Sequence, residues 1–91
     1  MPIRSTPYSN IIKALTDARK SKGMKQVELA EMWEKTQPMI TKIEQGERRL
    51  DVQEFLELCD LLGVDPTDLI RKAHNELKKE LFANRSNRSK I

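Results

Sequence analysis

Between Gln26 and Arg49 the chain collects side chains that trade hydrogen bonds and charge rather than electrons or acyl groups. Gln37, Met39, Thr41 and Lys42 crowd one short stretch, and Arg48 and Arg49 follow it closely. A glutamine amide sets a donor beside an acceptor, a pattern that matches adenine N6 and N7; a lysine ammonium can donate to guanine O6 or N7, or to a phosphate. A methionine can pack on a thymine methyl, and paired arginines suit phosphate oxygens. Thr41 lies one helical turn beyond Gln37 and faces the same way. Catalytic chemistry finds little material: one histidine, one cysteine, no glycine-rich phosphate loop and no metal-spaced cluster. The chain reads as a non-enzyme with no cofactor and no metal.

These side chains need two short helices crossing at close range. In QVELAEMWEKTQPMITKIEQG, Leu29, Ala30 and Trp33 put an apolar face on one helix, and Ile40 and Ile43 put another on the next. Ala30 is small enough to let the two backbones approach, which makes a helix-turn-helix and leaves the outer face of its second helix free to read DNA. Spacing and caps predict helices over residues 25–33 and 37–45, with Thr36 as the N-cap of the second, Pro38 tolerated in its first turn and Gly46 ending it.

Three further helices frame this pair. A first helix over residues 7–22 is capped by Thr6, carries Tyr8, Ile11, Ile12, Leu15 and Ala18 at helical spacing, and stops at Gly23. After the polar ERRL, Asp51 and Glu54 form a capping-box pattern, and Val52, Phe55, Leu56, Cys59 and Leu62 mark a buried stripe on a fourth helix closed by Gly63. Asp65 and Pro66 open a fifth, whose stripe of Leu69, Ile70, Ala73, Leu77 and Leu81 reaches about Phe82. That is longer than a five-helix core requires. The expectation is an all-α domain over residues 6–82, a flexible arm over 1–5 and a basic disordered tail over 83–91.

Ninety-one residues at 37% apolar content support one modest core. No run suits a membrane span and the polar start lacks a signal peptide's apolar stretch, so the expected location is the cytoplasm. A single cysteine, read as a buried free thiol, fits a reducing compartment. The net charge is +3, but Arg85, Arg88 and Lys90 supply all of the excess, so residues 1–82 are balanced. What matters for a nucleic acid is the local placement of Lys42, Arg48 and Arg49 beside the reading helix.

Over about residues 9–72 the chain resembles the XRE family of phage-repressor-like and Cro-like regulators. The resemblance is carried by Gln26, Leu29, Ala30, Ile40, Ile43, Glu44 and Gly46, with Arg19 four residues before Gly23. GERRLDVQEFLELCDLLGVDP also resembles the segment after the reading helix in many members. The resemblance implies that Gln26 touches a phosphate, that Gln37 reaches a base edge, and that Arg19 and Glu44 form a structural ion pair joining the first and third helices. Two positions depart from the pattern. Glu34 stands where the family commonly has glycine, at a left-handed cost of roughly 1–2 kcal/mol. Pro38 stands where serine or glutamine is common, which removes one family contact and concentrates readout on Gln37, Met39, Thr41 and Lys42.

Trp33 is expected in the core and His74 in solvent, off the apolar stripe of its helix. The leading reading is a sequence-specific double-stranded DNA-binding regulator, acting as a homodimer whose fifth helices meet through Leu77, Leu81 and Phe82. A second is the antitoxin of a toxin–antitoxin pair, folding the fifth helix and tail onto a partner protein. A third is a helical scaffold that has lost DNA binding.

Overall fold

The structure, a computed structural model, describes the backbone of residues 6–89 and the side chains of residues 6–83. The expected arm over 1–5 lies outside the described residues, as do residues 90 and 91. Five helices follow in order: α1 (Pro7–Ser21), α2 (Gln26–Trp33), α3 (Gln37–Glu44), α4 (Val52–Leu62) and α5 (Pro66–Ser89), with no strand among the described residues.

Local chemistry fixes most of the boundaries. Thr6 and Ser9 close a capping box at α1, where the Ser9 N–H donates to Thr6 Oγ1 at 3.0 Å and the Thr6 N–H to Ser9 Oγ at 2.8 Å. Asp51 and Glu54 do the same at α4, at 2.7 and 3.0 Å. Thr36 caps α3 by accepting from the Met39 N–H, and the Asp65 carboxylate accepts from the Thr67 N–H at the start of α5. Gly63 closes α4 at φ 69°, a left-handed conformation that costs glycine nothing.

The core gathers Ile12 and Leu15 of α1, Leu29, Ala30 and Trp33 of α2, Ile40 and Ile43 of α3, Phe55, Leu58, Cys59 and Leu62 of α4, and Leu69 of α5. Trp33 is seated there with its indole N–H donating to Glu57 Oε1 at 2.9 Å. That bond, with a second from Gln53, holds the Glu57 carboxyl below its usual range. Cys59 is a buried free thiol, and burial pushes its pKa up. His74 is exposed.

Two expectations need correction. The buried stripe of α4 is Phe55, Leu58, Cys59 and Leu62, whereas Val52 and Leu56 stand in solvent at 76% and 48% exposure. So many apolar residues line VQEFLELCDLL that two stripes of helical spacing overlap, and packing against α1 and α2 selects the one that contains Leu58. The backbone of α5 also runs past Phe82 to Ser89, since no proline or glycine interrupts residues 67–89. Its first turns pack on α1, where Asn10 Nδ2 donates to Glu76 Oε2 at 2.8 Å, while Ile70, Leu77, Leu81 and Phe82 remain exposed.

Candidate nucleic-acid interface

The α2–α3 pair is set by a sharp turn. Glu34 ends α2 at φ 58° and ψ 40°, a left-handed conformation in a non-glycine residue. That conformation strains the turn by roughly 1–2 kcal/mol. The Lys35 N–H donates to the Ala30 carbonyl at 2.8 Å, which reverses the chain within one turn. Ala30, Ile40 and Ile43 are each 3% exposed or less, so the inner faces of both helices are closed. What α3 leaves outside is Gln37, Pro38 and Lys42, with Thr41 half-buried between the outer face and α2.

The expected readers differ in how free they are. The Gln37 side chain is exposed and makes no hydrogen bond among the described residues, and Lys42 is exposed in the same way. Met39 is half-buried and packs against the core, so its methyl has less surface to offer a base than the sequence suggests. The Thr41 hydroxyl donates inward, to Gln26 Oε1 at 2.7 Å and toward the Gln37 carbonyl at 3.2 Å.

Behind Thr41 lies a connected polar chain, of which the resemblance implied only the Arg19–Glu44 pair. Gln26 Nε2 donates to Glu44 Oε1 at 2.8 Å. Glu44 in turn accepts from Arg19 Nε at 2.7 Å and Nη2 at 3.0 Å, and Arg19 Nη1 donates to the Met24 carbonyl at 2.6 Å. Arg19 is 7% exposed, so each of these bonds offsets the cost of burying a charge. Gln26 keeps one amide hydrogen uncommitted, and that hydrogen can still serve a phosphate.

The two arginines after α3 also part company. Arg48 bonds Glu54 through both guanidinium ends, at 2.8 and 3.1 Å. The pairing holds the Glu54 carboxyl below its usual range, with the Asp51 N–H as the next cause, and raises Arg48. Arg49 instead lies over the Tyr8 ring, 4.5 Å from its centroid, with no carboxylate partner among the described residues. Tyr8 is itself held in place, because its hydroxyl oxygen accepts from the Leu50 N–H at 3.0 Å. Spacing alone does not reveal this aromatic support, whose parts lie more than 40 residues apart.

No helix is long and apolar enough to cross a membrane, and no group of three or more metal-ligating side chains forms, among the described residues. No curated protein matches the chain. A helix-turn-helix family model matches residues 15–69, which run from the middle of α1 to the first turn of α5 and contain the whole α2–α3 pair. With the turn, the inward apolar faces and the outward polar face all in register with that match, the chain belongs to the XRE-type helix-turn-helix family of DNA-binding domains.

Proposed function

We propose that the protein is a cytoplasmic, sequence-specific transcriptional regulator that lays α3 in the major groove of double-stranded DNA. The observation that carries this reading is the exposed, unbonded Gln37 at the start of a helix whose opposite face is sealed into the core. Recognition helices present their N-terminal residues to base edges, and an amide there matches adenine. Lys42 reads a neighbouring base or phosphate, while Gln26 and Arg49 hold the phosphate backbone.

A homodimer completes the reading. One small module makes few base contacts, and two copies spanning half-sites about 34–36 Å apart multiply the affinity. Leu77, Leu81 and Phe82 are 45%, 55% and 67% exposed on α5, an apolar strip that a second copy can cover. Sedimentation of the wild type and of a Leu77→Ser, Leu81→Ser variant tests this: the first should be dimeric and the second monomeric with weaker DNA binding.

The central test is selection of bound duplexes from a random pool, followed by footprinting. A defined operator should emerge, and Gln37→Ala should lose about 1–3 kcal/mol of affinity and relax preference at one base pair. A pool that stays random at low salt ends the proposal.

A further inference from the structure

The hydrogen bonds behind α3 have a direction, and that direction reaches the outer face. The Glu44 carboxylate, paired with Arg19, has only lone pairs to offer, so the Gln26 amide must turn its nitrogen toward Glu44, where it donates at 2.8 Å. Its oxygen then faces α3 and accepts from Thr41 Oγ1 at 2.7 Å. The other group within reach of that hydroxyl, the Gln37 carbonyl at 3.2 Å, is an acceptor as well. The single hydroxyl proton is therefore committed inside the protein, and Thr41 shows the outside only lone pairs and a methyl group.

We propose that Gln26 makes Thr41 an obligate acceptor, so that the base facing Thr41 must carry an exocyclic amino group. This rests on the proposal that α3 reads the major groove. In that groove adenine N6 and cytosine N4 donate, whereas guanine O6 and N7 and thymine O4 accept. An outward lone pair meets the first two favourably and repels the others. Gln26 is then a positioning residue: it touches no base, yet sets which class of base its neighbour accepts.

The test uses the full chain and the operator selected from random duplexes. The pair beneath residue 41 is the one whose preference collapses in Thr41→Val, which keeps the shape and removes the oxygen. There the wild type should favour adenine or cytosine over guanine or thymine by about three- to tenfold, the range one net hydrogen bond provides. Thr41→Ser should keep the preference. Gln26→Met, checked for helicity by circular dichroism, leaves the hydroxyl only the longer 3.2 Å bond to the Gln37 carbonyl, and should therefore lower the preference without abolishing it.

A second measurement needs no variant to fold. A duplex with purine riboside in place of that adenine, or pyrimidinone in place of that cytosine, should bind the wild type about three- to tenfold more weakly. A keto base preferred at that pair, an unaffected amino-deleted duplex, or an unchanged preference in folded Gln26→Met overturns the proposal while leaving the effect of Gln37→Ala intact. If Thr41→Val and Gln37→Ala both leave every position unchanged, groove reading itself fails and this inference with it.

Discussion

Arg19 of α1 grips Glu44 of α3 across 25 residues of chain, through guanidinium Nε and Nη2 on the two carboxylate oxygens at 2.7 and 3.0 Å. The pair stands at the back of the reading helix, with side chains 8% and 13% exposed. Its consequence is mechanical: the C-terminal end of α3 is tied to α1, so α3 cannot swing about the α2–α3 turn independently of the core.

Removing one partner of such a pair strands a charge in poorly hydrated surroundings, which costs about 3–5 kcal/mol. Arg19→Met should lower unfolding stability in urea by that order. The combined Arg19→Met, Glu44→Leu variant should lose less than the sum of the single changes, because the stranded charge is gone. Additive losses would show that the two residues act separately.

Glu34 supplies a prediction of opposite sign. A non-glycine residue at φ 58° is strained by roughly 1–2 kcal/mol, while glycine in its place adds unfolded-state freedom worth about 0.5–1 kcal/mol. The strain is the larger effect, so Glu34→Gly should raise stability by up to about 1.5 kcal/mol and the melting temperature with it. A lower melting temperature would mean that the turn is not strained.

Much of this architecture was legible because most helix ends carry their own capping chemistry. Thr6, Thr36, Asp51 and Asp65 bond the first-turn N–H groups as their types suggest, and Gly23, Gly46 and Gly63 take positive φ. The α4 face was misread because Val52 and Leu56 satisfy helical spacing as well as Leu58 does, and only the neighbouring helices decide between them. The α5 end was misread because a polar, basic composition resembles a tail, although nothing in it breaks a helix. At the site, the face of α3 followed from periodicity. The commitments of Gln26, Thr41, Arg48 and Arg49 did not, since each depends on a partner from another element or loop whose identity spacing alone cannot name.

Acid should reveal the Arg48–Glu54 pair. The folded-state pKa of Glu54 lies below its ordinary value of 4.5, first because Arg48 bonds it and next because the Asp51 N–H does. The stabilisation is therefore fully present above about pH 4.5 and is lost as pH falls through the lower folded value. Melting curves from pH 7 downward should fall less steeply for Glu54→Gln, which starts from lower stability at neutral pH and retains an oxygen for the Asp51 cap. Glu57, lowered by Trp33 and then Gln53, keeps some acid slope in both proteins. Identical slopes for wild type and variant would show that the pairing contributes nothing to folding.

The same pairing separates two neighbouring arginines in DNA binding. Arg48 already spends its guanidinium on Glu54, so a phosphate must compete with a carboxylate at 2.8 Å. Arg49 rests on the Tyr8 ring, which orients the cation without neutralising it. Each phosphate contact contributes about 0.9 to the slope of log affinity against log salt. Arg49→Ala should therefore flatten that slope by about 0.9 per half-site and weaken all sequences alike. Arg48→Ala should leave the slope nearly unchanged and cost modest stability instead, as a partly exposed ion pair does. Equal changes of slope in the two variants would mean that DNA pulls Arg48 away from Glu54, and that the ion pair seen in the free protein does not survive binding.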